Sequence, residues 1–180
     1  MRTRVRHRFG ALLAGLAIAG ALNAPAPATA VGAPPTVVVR DATSDARAIA
    51  AEARALRRDV AALLQGYVDD YRDRFTPDEV ATLLSYRDTA DRHLATVVAT
   101  TGRLRTAVAT GSGERLAANR ALTAWARARS AAERSWEAAR SIMEPRLSLI
   151  EKVGALRDYD TMMDRFDRLG ERLRAIDRTR

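Results

Sequence analysis

The side chains able to do chemistry in this chain are few, and acids dominate them. Asp69, Asp70, Asp73, Asp78 and Glu79 crowd the join between two helical patterns. Oxygen-only clusters of this kind suit Ca²⁺ or Mg²⁺, which makes Asp69, Asp73, Asp78 and Glu79 the candidate metal cluster. Against it, Arg72 and Arg74 lie among the acids and no recognised loop spacing is present. Asp158-x-Asp160 starts like a calcium loop, but Met162 stands at the third ligand place and no terminal Glu follows. Local work is expected there instead, with Asp158 or Asp160 capping the last helix. His93 is the one imidazole beyond residue 30, too few for a His-based zinc site. Ser112, between Gly111 and Gly113, lacks the strand before it that a nucleophile elbow needs. No catalytic residue, metal or cofactor is expected.

Two other groups could act by contact. Residues 101–140 carry eight arginines against three acids, while residues 41–100 carry eight basic and eleven acidic side chains. Arg115, Arg120, Arg127, Arg129, Arg134 and Arg140 therefore form a basic row, with Arg120, Arg127, Arg129 and Arg134 as the candidate partner-binding face for an anionic surface. The same row would serve equally to neutralise the acidic first half inside the fold, and opposite net charges favour that pairing. Trp125, Trp136 and Met143, with Met162, Met163 and Phe166 nearby, are candidates for lining an apolar ligand cavity; aromatics at helical spacing more often make plain core.

The elements that must position these residues are all helical. Ile49, Ala53, Leu56, Val60, Leu63, Tyr67, Tyr71 and Phe75 step by three and four, predicting a helix over 44–74. Thr76-Pro77-Asp78-Glu79 is a capping box with proline at the first helical position. It opens a helix from Pro77 to Ala109, whose inward row is Val80, Leu83, Arg87, Ala90, Leu94, Val97, Thr101, Leu104 and Val108. Arg87 in that row is expected at the edge, its long stem reaching to water. Gly111-Ser112-Gly113 closes this helix, with Ser112 placed to cap the next.

The third helix turns Leu122, Trp125, Ala132, Trp136, Ala139 and Met143 inward, and its pattern runs on through Leu147, Ile150 and Val153 with a kink or break at Pro145. Past Gly154 a shorter last helix is expected on Leu156, Tyr159, Met163, Phe166, Leu169, Leu173 and Ile176. The fold class read from this is all-α: an elongated antiparallel bundle of about four helices over residues 44–180. No internal repeat with matching residues appears.

Composition and the N-terminus set the context. The chain has 180 residues, 47% hydrophobic, with no cysteine, so disulfides and thiol chemistry are excluded. Arg2, Arg4, Arg6 and Arg8 precede an apolar run from Gly10 to Leu22, and small residues follow up to Ala28-Thr29-Ala30. This is the plan of a secretory signal peptide over 1–30, cleaved after Ala30, with 31–43 as an extended leader. The run is too short for a stable membrane anchor. Removing those 30 residues lowers the formal net charge from +8 to +4, too little for a nucleic-acid binder.

Phe75-Thr76-Pro77-Asp78-Glu79-Val80, with Leu83, Leu84 and Tyr86, resembles the Phe-Thr-x-x-Glu-Leu helix start of some exported bacterial helical domains. The likeness covers about 12 residues and carries no activity across. The expectation is an exported, non-catalytic binding, scaffolding or chaperone-like bundle at the cell envelope. Its partner would be a protein or an anionic envelope component, and pairing with a second copy stays open. The alternatives are a carrier of an apolar ligand and, last, a carboxylate-based metal enzyme.

Overall fold

The computed structural model describes residues 42–178, so the signal-peptide reading and most of the leader lie outside the described residues. Four long helices fill the described chain: α1 (Ala42–Asp70), α2 (Pro77–Thr110), α3 (Glu114–Met143) and α4 (Leu149–Arg178). Single 3₁₀ turns, Arg72–Arg74 and Glu144–Arg146, join α1 to α2 and α3 to α4. There is no strand among the described residues. At 1.5 Å per residue the 34-residue α2 is about 50 Å long.

Each helix packs on the next and α4 packs back on α1, closing four helices around one core. Partner numbers run in opposite senses along the contacts. Glu52, Asp59, Tyr67 and Arg74 of the first half meet Arg172, Arg165, Asp158 and Glu151 in turn.

The expected α2 start is present in every part. The Thr76 hydroxyl accepts from the Glu79 N–H at 3.2 Å, and the Glu79 carboxylate accepts from the Thr76 N–H at 2.8 Å. Its inward row is buried at Leu83, Ala90, Leu94, Val97, Thr101, Leu104 and Val108. Thr101 sits there at no cost in unpaired groups, because its hydroxyl donates back to the Val97 carbonyl at 2.8 Å. Arg87 lies at the edge as expected, half-buried, its guanidinium engaging Asp88 and the Gln65 side chain.

Three expectations need correction. Helix α1 begins by Ala42, inside the leader assigned to 31–43, and yields at Asp70 to the 3₁₀ turn. Ser112 does not cap α3: Gly113 holds the cap position, and the Gly111 and Ser112 N–H groups both donate to the Ala107 carbonyl. The glycines are needed because both take left-handed angles, φ 66° and 69°.

Pro145 splits the third pattern, one of the two expected outcomes, but α4 starts at Leu149 and not past Gly154, which lies inside a 30-residue helix. The start is set by a second capping box that the sequence reading missed. The Ser148 N–H donates to Glu151 at 2.7 Å, and the Glu151 N–H donates to the Ser148 hydroxyl at 3.4 Å. Asp158 and Asp160 therefore do not cap α4; they lie within it.

The structure adds a repeat of positions to a sequence with few matching residues. The two 3₁₀ turns begin at 72 and 144, and the helices after them at 77 and 149, so both differ by 72. At that offset buried positions coincide along the helices: Ala46 with Ala118, Ile49 with Ala121, Leu56 with Ala128, Leu94 with Phe166, Val97 with Leu169, Leu104 with Ile176. The chain is one helix pair used twice. Few residues match, because burial demands only an apolar side chain and the two halves divide volume differently.

Candidate functional site

The corners between paired helices are joined by two crossed ion pairs. Arg74 donates to Glu151 at 2.9 Å, and Arg146 donates to Glu79 at 2.9 Å. Each arginine precedes one capping box and reaches the glutamate of the other. Arg74 and Arg146, like Glu79 and Glu151, stand 72 residues apart. The Arg74 guanidinium, aided by the Ser148 N–H, pushes the Glu151 carboxyl down to about 2. Glu79 is likewise lowered, first by the Thr76 N–H and then by Arg146.

Two acids of the corner are taken up by such bonds. Glu79 is bound to Thr76 and Arg146, and Asp69 accepts from Gln65 at 2.8 Å. The structure does not bring Asp69, Asp73, Asp78 and Glu79 together: among the described residues no three His, Asp or Glu side chains form a group able to hold a metal ion. His93 is half-buried on α2, and Ser112 is exposed at the α2–α3 tip.

The tryptophans are packed by protein. The Trp125 indole N–H donates to the Phe166 carbonyl at 2.8 Å, and its ring lies on Gly170 so closely that a Cβ there would collide with the ring carbons. Arg174 covers the ring at 4.8 Å. Trp136 stacks on Tyr159 at 5.3 Å and meets the edge of Tyr67 at 6.1 Å. The Tyr67 hydroxyl donates to Asp158 at 2.9 Å, and burial, then that carboxylate, raise its pKa. Met143 is buried beneath the second corner.

The arginines of α3 divide into two sets. Arg129 pairs with Asp167 of α4 at 2.8 Å and with Glu133, and Arg140 pairs with Glu137 and Glu144. Arg120, Arg127 and Arg134 recur every seven residues on one exposed side and pair with no carboxylate among the described residues; Arg134 donates to the Ser130 hydroxyl. Arg115 is exposed near the start of the helix.

The row does not neutralise the acidic first half. That task falls to α4 and the second corner, through Arg172 on Glu52, Arg165 on Asp59 and Arg146 on Glu79. Helix order explains the correction: α3 offers its buried alanines to the neighbouring helices, so its arginines are left at the water side.

In the first half, the positions equivalent to Arg120, Arg127 and Arg134 are Ala48, Ala55 and Ala62. The fold is thus indifferent to arginine there. No helix among the described residues is long and apolar enough to cross a membrane. No family model matches the chain, and comparison with curated proteins and with solved structures gives no match either.

Proposed function

We propose that this chain is an exported, non-catalytic antiparallel helical bundle that works by surface contact, holding an anionic component of the cell envelope through the arginine row of α3. One observation carries the reading. Arg120, Arg127 and Arg134 are exposed and without carboxylate partners, at places where the other half has alanine. Unpaired, regularly spaced guanidinium groups suit a repeating anionic surface, each able to grip a phosphate or carboxylate with two donors. Export is supported by the basic, apolar and small-residue plan of residues 1–30.

The test replaces Arg120, Arg127 and Arg134 together by serine and measures retention on envelope fractions over a salt series. Retention of the unchanged protein should fall steeply with salt, and the variant should wash off at low salt. Arg129→Ser, which breaks a pair inside the bundle, should leave retention unaltered. Equal retention of the triple variant at every salt concentration ends the proposal.

A further inference from the structure

The sequence reading turned Ile150 and Val153 inward; the structure turns them out. Leu149 is 77% exposed, Ile150 81%, Val153 62% and Leu156 53%. Spaced i, i+1, i+4 and i+7, they make one apolar side over the first two turns of α4, opposite the buried Ala155 and Met162. Of the other large hydrophobics among the described residues, Leu116 alone is comparably exposed, and it lies on α3 near the tip.

The internal repeat shows what the fold requires at these places. The equivalents of Leu149, Ile150 and Val153 are Pro77, Asp78 and Ala81, so a helix pair of this plan forms without large aliphatic side chains there. Leu84, the equivalent of Leu156, is partly buried against the core instead. Two cations accompany the change. Lys152 and Arg157 flank the apolar side, where the first half has Val80 and Ser85.

Of the nearby acids, Glu151 is engaged by Arg74, Glu144 by Arg140 and Asp158 by the Tyr67 hydroxyl. Asp160 and Asp164, exposed on the same side, mark where the apolar stretch ends, three to four turns into the helix.

We infer that the start of α4 docks on a membrane surface bearing anionic lipids. The four apolar side chains enter the headgroup boundary, and Lys152 and Arg157 lie along its phosphates. A second copy fits less well. The patch is a few hundred Å², short of the roughly 800 Å² per partner of a stable dimer. Pairing it with itself would also gather four cations, with Glu151 and Glu144 already held by Arg74 and Arg140. This surface is separate from the arginine row and does not rest on it.

The chain has no cysteine, so a single one can be labelled without competition. Val153→Cys carrying an environment-sensitive fluorophore is mixed with vesicles of equimolar phosphatidylglycerol and phosphatidylcholine, or of phosphatidylcholine alone. Leu116→Cys, labelled alike, is the control. The expected result is a blue shift at position 153 with the anionic vesicles, little with the neutral ones and none at position 116. Lys152→Gln or Arg157→Gln should weaken the response about fivefold each. Serine at Arg120, Arg127 and Arg134 should leave it intact.

An unshifted label at 153 with both vesicles overturns the inference, as does a shift at both positions. A label already blue-shifted without lipid overturns it in favour of cover by protein. That cover is a second copy if the shift grows with protein concentration, and the chain's own residues 1–41 if it does not. Loss of the response in the triple arginine variant also overturns it, moving lipid binding to α3.

Discussion

Two seams of the bundle occupy equivalent places and are built oppositely. Between α1 and α4 runs a polar ladder: Glu52 with Arg172, Asp59 with Arg165, Tyr67 with Asp158, and Arg74 with Glu151, one rung every seven or eight residues. Moved by 72 residues, the first-half members become Ala124, Ala131 and Ala139 of α3, which faces α2, and Arg146 of the turn that follows it. The three alanines are buried, and the backbones of α2 and α3 run far closer together than those of α1 and α4. Only the last rung survives in both seams, at the crossed corners. A seam of small side chains lets two backbones approach and leaves no room for charge, whereas long paired side chains hold two helices at a distance that water reaches.

The largest effect should come from forcing ladder chemistry into the alanine seam. Ala131→Asp places an unpaired charge where the wild-type residue is 3% exposed, and should cost about 3 kcal/mol or more in urea unfolding. Preservation of stability would show that the seam opens easily and that its alanines are incidental.

The next effect lies between α3 and α4, where volume is traded between the halves: Trp125 and Gly170 stand where the first half has Ala53 and Val98. Gly170→Ala drives a methyl into the indole and should cost about 2 kcal/mol, with a red-shifted tryptophan emission as its local sign. An Ala53→Gly change, which touches no such notch, should cost about 1 kcal/mol, the ordinary propensity loss.

The corners should respond to acid. Glu151 in the folded protein has its pKa lowered to about 2 from 4.5, so its contribution is complete above pH 4.5 and disappears as pH falls from 4.5 towards 2. Thr76→Ala and Ser148→Ala should each cost about 1 kcal/mol through loss of a cap. Glu151→Gln should flatten the fall in stability across that pH window. An unchanged acid profile in Glu151→Gln would mean that the crossed pairs do not hold the corner in solution.

The smallest effect belongs to the ladder. Both side chains of the Glu52–Arg172 rung reach water, at 21% and 42% exposure. Glu52→Ala should cost less than about 1 kcal/mol and lose even that in high salt. A cost equal to that of Ala131→Asp would erase the distinction between the seams.

By itself the sequence determined the helices. Steps of three and four select a buried side whatever the neighbours are, and Thr76-Pro77-Asp78-Glu79 carries its own cap. The same logic applied to Ser148-Leu149-Ile150-Glu151 would have found the start of α4, but the apolar run through Pro145 concealed it. Arg87 at a seam edge and the left-handed Gly111 were legible for the same local reasons. Which arginines stay free was not, because Arg120 and Arg129 look alike until α4 brings Asp167 to one of them. Nor were the exposed Ile150 and Val153, since periodicity records a stripe without saying whether another helix covers it. The repeat was hidden too: two halves can share positions without sharing residues, because the core constrains summed volume across helices and not the identity at any one place.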